Sequence, residues 1–268
     1  MPANSPLPIL DHPLDRPAAF TPEALTRAVR LERALPDAPI PKLCLLDFDG
    51  DITDWLAASG LAAPCPAWAC FHTTMFSLPV DGSSIGIIGR TIGGPYAVLI
   101  AEQLRVSGAE LILGLTSAGR VAPSLPLPSF VIPQAAIRDE GTSYHYLPPS
   151  PSVPAPPALV EPLRDALLPL GRNVTTGTVW STDAPYRETH QQLQHYAEAG
   201  VLAVEMQAAS LFAFAQATNF PLGIVAQVTN AVHDERESFD KGSHQDEYHL
   251  IQAMARAGLE WVRNHSLR

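Results

Sequence analysis

The sequence has 268 residues, of which 46% are hydrophobic and 16% charged, and its formal net charge is −10. This length suits one large α/β domain, and the hydrophobic fraction excludes a disordered chain. The acidic balance, without a cluster of lysines and arginines, excludes the electrostatic footprint of a nucleic-acid-binding protein. Residues 1–13 carry no basic and apolar leader, and no segment approaches the roughly 20 uninterrupted apolar residues of a membrane span. We therefore expect a cytoplasmic protein without nucleic-acid or membrane partners.

The three cysteines are odd in number, and Cys44 lies within an apolar run. This usage favours reduced thiols over a disulfide framework. Cys65, Cys70 and His72 suggest a metal cluster, but no second pair of ligands at suitable spacing accompanies them. We predict no metal site.

The first 20 residues are rich in proline and poor in periodic apolar positions, which favours an extended N-terminal arm over residues 1–20. The remainder, residues 21–268, is predicted to form one domain. Its first helix begins with Thr21 as the N-cap and Pro22 at the first helical position, and Pro36 ends it.

Short apolar runs predict the buried strands of a sheet, at Leu43–Leu46, Ser84–Ile88, Leu111–Leu115, Phe130–Ile132, Val174–Val179 and Leu222–Val228. Helical spacing of apolar residues occurs between and after them, at Pro95–Leu104, Ala158–Leu168, Thr189–Ala199, Met206–Ala217 and Asp246–Val262. Pro148–Pro157 is predicted to be a proline-dense linker or lid. This alternation indicates a single α/β domain with a central mixed sheet flanked by helices.

One local pattern offers a different function. Leu45–Asp54 resembles the first motif of haloacid dehalogenase-like phosphatases, in which Asp47 would be the nucleophile and Asp49 would handle the proton of the leaving group. Asp51 replaces the usual threonine of that motif, and Lys241 is not followed by an acidic metal-binding signature. The alternative interpretation is a polar loop after a strand.

A second resemblance extends from about Leu43 to the C-terminal helix. Five segments carry it, in this order: Thr91-Ile-Gly-Gly-Pro-Tyr96, Gly114-Leu-Thr-Ser-Ala-Gly119, Ala136–Tyr146, Ser181–Glu188 and Ala203-Val-Glu-Met-Gln-Ala-Ala-Ser210. Each segment is weak alone, but together they resemble the nucleoside phosphorylases of the uridine and hexameric purine type. The resemblance implies a nucleoside phosphorylase-like fold.

The same resemblance implies a ribose-binding segment at Glu205, Met206 and Gln207. Glycosidic cleavage passes through an oxocarbenium-like sugar, which polar groups on the ribose hydroxyls and a polarisable contact beneath the ring would stabilise. Gln207 stands where the family usually has a second glutamate, and an amide oxygen still accepts hydrogen bonds but carries no charge. The structural alternative is that Val204–Ala209 is simply the start of a buried helix.

The phosphate side of the site is expected at Gly50, Arg90, Thr116 and Ser117, where hydroxyls and backbone N–H groups at strand ends suit an anion. The family's phosphate pocket also uses arginines.

In the motif register, the positions of those arginines fall at or near Asp54, at Gly114 and near Cys70, so the arginines are replaced here. Arg90 and Arg120 are the nearby substitutes, and exposed surface arginine is the bland alternative for both.

The base side is expected at Asp183, Tyr186 and Arg187, with Pro185 where the family often stacks a phenylalanine. A start of a helix at Thr182 would fit the same stretch.

The purine branch protonates the leaving base with an aspartate, and Asn230 occupies that position. Asn230 hydrogen-bonds but cannot donate a proton as a general acid, so Asp234 or His233 would substitute for it. Loop solvation is the bland alternative.

We therefore expect glycosyl transfer that cleaves a nucleoside or related N-glycoside, with phosphate as co-substrate and no other cofactor. The family shares its active sites between subunits, which implies a homo-oligomer, a dimer or a hexamer. Relatives use an N-terminal histidine of the adjacent subunit near the sugar, but His12 lies farther from the first strand than that histidine, so we assign it no role. Two alternatives remain open. One is a phosphate-independent hydrolase that uses Glu205 or an acidic residue of the 47–54 loop as base. The other is a catalytically silent nucleoside-binding or storage protein.

Overall fold

The computed structural model describes residues 7–11, 13–231 and 241–266. Within these ranges the helices are α1 (Pro22–Glu32), α2 (Asp51–Ala58), α3 (Gly94–Val106), α4 (Val160–Leu167), α5 (His190–Glu198), α6 (Ala208–Thr218) and α7 (His244–His265). The strands are β1 (Leu43–Asp47), β2 (Ala63–Pro64), β3 (Phe76–Val80), β4 (Ser83–Gly89), β5 (Leu111–Arg120), β6 (Ser129–Asp139), β7 (Ser152–Pro154), β8 (Asn173–Thr182), β9 (Ala203–Glu205) and β10 (Leu222–Ala231). The predicted α/β class with a central mixed sheet is confirmed.

All ten strands belong to one sheet, in the order β10-β6-β8-β9-β5-β1-β4-β3-β2, with β7 paired to β6. Strand β10 also pairs with β5, so β5, β9, β8, β6 and β10 close into a five-membered ring. The remaining strands extend this ring as an open sheet. Strand β1 is parallel to both β4 and β5 at the junction.

The register of these parallel strands brings several polar segments to one edge. Asp47, the last residue of β1, pairs with Gly89 of β4 and Leu115 of β5. Strand β10 is also parallel to β5, and Asn230 lies opposite Gly119 just past a β-bulge. Ligands of open α/β sheets bind outside the carboxyl ends of the strands. The segments that follow β1, β4 and the first half of β5 therefore meet where a ligand site is expected.

Two apolar layers cover the faces of the sheet. Alternate residues of β1 point to opposite faces, as the pleat of a strand requires. Cys44 and Leu46 pack in the layer with buried side chains of α3 and α6. Leu43 and Leu45 pack in the other layer, with α2, α4 and α7. Because both layers bury β1, its sequence is a continuous apolar run.

The segment after β1 differs from the predicted polar loop, because α2 begins at Asp51. Gly50 precedes it in the left-handed conformation, with φ of 93°, which turns the chain into the helix. Asp51 and Asp54 lie in the first helical turn, where carboxylates interact favourably with the helix dipole. The loop was predicted on its charge, and that charge stabilises a helix start.

Two other expectations need correction. The proline-dense stretch 148–157 contains the short strand β7, which pairs with β6. No helix begins at Thr182. The chain makes one 3-10 turn at Pro185–Arg187, and α5 begins after Thr189, whose side chain forms a capping box with Gln192. In the described part of the chain, no helix combines the length and apolar character needed to cross a membrane.

Candidate functional site

The ribose-binding segment predicted at 205–207 joins the end of β9 to the start of α6. Gln207 is buried, and its amide group bridges two separate elements. Its Oε1 accepts a hydrogen bond from the backbone N–H of Gly93 at 2.9 Å, and its Nε2 donates to the hydroxyl of Thr116 at 2.9 Å. One side chain thereby connects the glycine turn before α3 with the strand end predicted to bind phosphate. Met206, beside it, is partly exposed.

Glu205 is buried and holds the start of α6. Its Oε2 accepts hydrogen bonds from the backbone N–H groups of Gln207 at 2.6 Å and Ala208 at 2.8 Å, and its Oε1 accepts one from the Ser181 hydroxyl. Burial raises the pKa of Glu205 to about 7, although these three donors act in the opposite direction. The carboxyl group therefore fixes the backbone that presents Gln207.

The predicted anion residues Gly50 and Arg90 contact each other at the ends of β1 and β4. A Cβ atom on Gly50 would lie 2.4 Å from Cγ and 2.9 Å from the backbone nitrogen of Arg90, so glycine is required there. The Arg90 backbone N–H donates to the Asp47 carbonyl at 3.0 Å. The Arg90 guanidinium forms an ion pair with Asp54, and 69% of the Arg90 side chain is exposed. The Arg90 guanidinium is thus neutralised by the Asp54 carboxylate at the exposed rim of the site.

Thr116 and Ser117 are consecutive residues of β5, and their side chains have different partners. Thr116 is buried and accepts from Gln207, as above, while its own hydroxyl donates to the Ser117 carbonyl at 2.8 Å. The Ser117 hydroxyl donates to Asp49 Oδ1 at 3.1 Å. The hydroxyl predicted to bind phosphate is therefore paired with a carboxylate of the β1–α2 segment.

Lys241 completes this cluster and was not predicted as a site residue. Its Nζ lies 2.8 Å from Asp49 Oδ2 and 2.8 Å from Asp51 Oδ2. Burial alone would lower the pKa of Lys241, but the hydrogen bonds with the two aspartates outweigh it and the pKa lies above its ordinary value. The one feature of the sequence that could have pointed to Lys241 is the scarcity of lysine, since Lys42 and Lys241 are the only lysines of the chain.

The positions at which the family's arginines are expected hold other residues with defined surroundings. Asp54 pairs with Arg90. Gly114 is packed under the Phe48 ring, where a Cβ would lie 2.9 Å from two ring carbons. Cys70 is buried. Arg120 ends β5, opposite Ala203 and Ala231.

Asn230 is partly exposed, but its amide oxygen is shielded from solvent. That oxygen has no hydrogen-bond partner among the described residues, and its Nδ2 makes only a long contact of 3.4 Å with the Ala231 carbonyl. A shielded acceptor of this kind suits a donor from a ligand. The other catalytic candidate, Asp234, lies outside the described residues, as do His233 and His12.

The predicted base segment lies at the end of β8 and is largely exposed. Asp183 accepts a hydrogen bond from the Gly141 backbone N–H at 2.8 Å, and burial of its carboxyl raises its pKa. It lines a cavity of about 570 Å³ that is bounded by Ile9, Phe20, α1 and α3. Tyr186 is fully exposed, and Arg187 is also exposed. Within the described part of the chain, no hydrogen bond joins this segment to Gln207 or Thr116.

The phosphatase alternative does not fit this geometry. Asp47, its nucleophile, is buried and accepts hydrogen bonds from the backbone N–H and the hydroxyl of Thr53, at 3.0 and 2.8 Å. Its carboxylate is thus buried and already engaged by two donors of Thr53. The described residues contain no group of three or more histidine, cysteine or acidic side chains arranged to hold a metal ion. The cysteines are free thiols.

A strand ring joined to an open sheet, with helices on both faces, defines a single-domain α/β protein, and polar side chains contact one another near the carboxyl ends of its parallel strands. Comparison with known protein families identifies the superfamily. The phosphorylase superfamily model matches residues 44–260, so the chain belongs to that superfamily.

Several relatives of similar sequence are named as guanosine or uridine phosphorylases. A guanosine phosphorylase from Halorubrum lacusprofundi is 31% identical over 149 residues, which cover 55% of this chain and 61% of that protein. A uridine phosphorylase from Thermococcus kodakarensis is 27% identical over 194 residues, covering 67% of this chain and 69% of that protein. A uridine phosphorylase from Salmonella typhimurium is 23% identical over 169 residues, covering 58% and 67%. The chain thus spans less than two thirds of the length of the guanosine phosphorylase. The family resemblance predicted from the sequence is confirmed by the superfamily match.

Proposed function

We propose that this protein cleaves the N-glycosidic bond of a nucleoside with inorganic phosphate as the second substrate. The observation that carries the proposal is the Gln207 bridge, because one amide lies against both the glycine turn and Thr116. A sugar held at 205–207 would then lie next to an anion held at Thr116, in the middle of β5. Membership of the phosphorylase superfamily and the names of the relatives support the same reaction class.

In this reaction a phosphate oxygen forms a bond to C1′ as the bond from C1′ to the base nitrogen breaks, and the base leaves with a proton. Positive charge develops on the sugar in the transition state, so groups that fix the ribose hydroxyls and the ring accelerate cleavage. We assign the hydroxyl contacts to Gln207 and the contact beneath the ring to Met206. Glu205 positions both through the backbone N–H groups it binds.

For the base we propose contacts at two places. Asn230 supports one, since its shielded amide oxygen is available to an N–H donor of a heterocycle. Asp183, Tyr186 and Arg187 supply the other. Asn230 cannot transfer a proton, so we propose Asp234 as the group that protonates the leaving base.

For the phosphate we propose the Gly50 turn, Arg90, Thr116 and Ser117, with the arginines of the family replaced in this chain. The packing of Gly114 beneath Phe48 supports this replacement, because the aromatic ring of Phe48 leaves no room for a side chain at position 114.

We also propose that the protein is a homo-oligomer, a dimer or a hexamer, in the cytoplasm. Exposed apolar side chains around the site support the first part, with exposed fractions of 67% for Phe20, 53% for Ile92 and 40% for Leu99. Large apolar side chains exposed in this way favour contact with another subunit. Free cysteines are typical of a reducing compartment.

A specific observation favours a second candidate, a phosphate-independent nucleoside hydrolase. The Ser117 hydroxyl is paired with Asp49 and the Arg90 guanidinium with Asp54, so carboxylates already engage two of the proposed phosphate contacts. In that case water would attack C1′, and Glu205 or an acidic residue of segment 47–54 would act as the general base.

Release of free base from a panel of purine and pyrimidine nucleosides, in phosphate buffer and in phosphate-free buffer, tests the proposal. Phosphorolysis predicts release that rises with phosphate concentration and vanishes without it. Equal release in both buffers would identify the hydrolase, and the absence of release with every nucleoside would contradict both.

A further inference from the structure

A connected cluster at the edge of the sheet joins Ser117 to Lys241 through one carboxylate. Asp49 accepts a hydrogen bond from the Ser117 hydroxyl on Oδ1, at 3.1 Å, and contacts Lys241 Nζ through Oδ2, at 2.8 Å. Each oxygen of the carboxylate therefore faces a different donor. The same two kinds of donor, a hydroxyl and a cation, are those that bind a phosphate oxygen.

Lys241 is fixed from two directions. The Gln227 side chain, on β10, donates to the Lys241 carbonyl at 2.6 Å. At the other end Asp51, the first residue of α2, holds the ammonium group together with Asp49. Only 13% of the Lys241 side chain is exposed, so its charge is less screened by solvent than that of Arg90 at the rim, with 69%.

In the described part of the cluster, carboxylates outnumber cations. Among the described residues, two carboxylates share the Lys241 ammonium group, and the neighbouring Arg90 is paired with Asp54. A phosphate dianion added to this arrangement would meet three carboxylates, which repel it. If the Asp49 side chain turned away, Ser117 and Lys241 would both face the vacated position, and Asp51 would still hold the ammonium group in place.

We propose that Lys241 is the principal cation of the phosphate site in this protein, and that Asp49 is an internal competitor that phosphate must displace from Ser117 and Lys241. The proposal rests on the proposed function, since it takes inorganic phosphate as the second substrate. It assigns to one lysine the role that arginines have in the relatives. It also makes phosphate binding weaker than the bare donors would allow, because part of the affinity is used to displace the carboxylate.

Isothermal titration of the protein with inorganic phosphate tests the proposal without any nucleoside. Asp49→Asn keeps the shape of the side chain but removes the competing charge, and we expect it to bind phosphate at least about tenfold more tightly. Lys241→Gln removes the cation and should weaken binding by at least about tenfold, whereas Lys241→Arg keeps the charge and should retain most of the affinity. Lys42→Gln is the matched control, because Lys42 is an exposed lysine paired with Glu110 away from this cluster.

Circular dichroism melting curves establish that each variant is folded at the temperature of the titration. Asp49→Asn binding no more tightly than the unaltered protein would overturn the role of Asp49. Lys241→Gln behaving like Lys42→Gln would overturn the role of Lys241, and so would the absence of phosphate binding in every variant. If the affinities change as expected but no nucleoside is cleaved, the anion site stands and the proposed function fails. If nucleosides are cleaved with phosphate but neither the unaltered protein nor any variant binds phosphate in the absence of nucleoside, the proposed anion site fails and the proposed function stands.

Discussion

Replacement of Glu205 by glutamine isolates the energetic effect of a buried carboxyl group at the start of α6. Glu205 is 4% exposed, and burial raises its pKa to about 7 from an ordinary value of 4.5. The folded state therefore holds the proton more tightly than the unfolded state does. Stability from this group is fully present below pH 4.5 and is lost as the pH rises from 4.5 through 7. The two pKa values correspond to a loss of about 3 kcal/mol.

Glu205→Gln lacks this loss, because its amide does not titrate. The amide oxygen can accept from the backbone N–H groups of Gln207 and Ala208, and the amide nitrogen can donate to the Ser181 hydroxyl oxygen. We expect the free energy of unfolding of the variant, relative to the unaltered protein, to rise by about 3 kcal/mol between pH 4.5 and pH 8. Urea denaturation at several pH values measures this difference, to which other titrating carboxyl groups contribute little because both proteins share them. A difference independent of pH would refute the reasoning, since it would mean that the three donors keep Glu205 ionised throughout.

Three further substitutions test the geometry of the site. Gly50→Ala should lower stability by about 1–3 kcal/mol, measured by urea denaturation, because φ is 93° and the new Cβ would meet Arg90; no loss would show that the turn relaxes freely. Gln207→Ala should reduce kcat/KM for nucleoside cleavage at least about tenfold, through loss of its hydrogen bonds to the glycine turn and to β5, while Gln216→Ala, at the exposed end of α6, should not; equal effects would contradict the bridge. Gly114→Ala should lower the melting temperature through overpacking that costs about 1–3 kcal/mol, and an unchanged melting temperature would contradict the close packing of the aromatic ring upon it.

The elements most accurately predicted from the sequence are those whose signal is local. The continuous apolar run of β1 and the N-cap of α1 at Thr21 depend on side chains a few residues apart. The apolar runs captured only part of β5 and β6. Beyond Leu115 and Ile132 these strands carry polar and small residues, and pairing with distant strands keeps them extended. No window of the sequence contains that information.

The same distinction applies to the candidate site. Motif order was sufficient to single out Thr116 and Gln207, whose side chains contact each other across 91 positions of the chain. It was not sufficient to find Lys241, because its contact with Asp49 spans 192 positions and follows from where α7 begins relative to β1. Helix α2 was missed for a related reason. The acidic residues after β1 predict a polar loop, whereas Gly50 and the carboxylates together start a helix.

The most direct test of the central claim is ³¹P NMR of the purified protein with a nucleoside and inorganic phosphate. Phosphorolysis predicts that the inorganic phosphate signal declines while a pentose 1-phosphate signal grows, in equal amount to the free base released. Free base with no new phosphorus signal would contradict the account and establish water as the nucleophile, and an unchanged spectrum with intact nucleosides would contradict cleavage altogether.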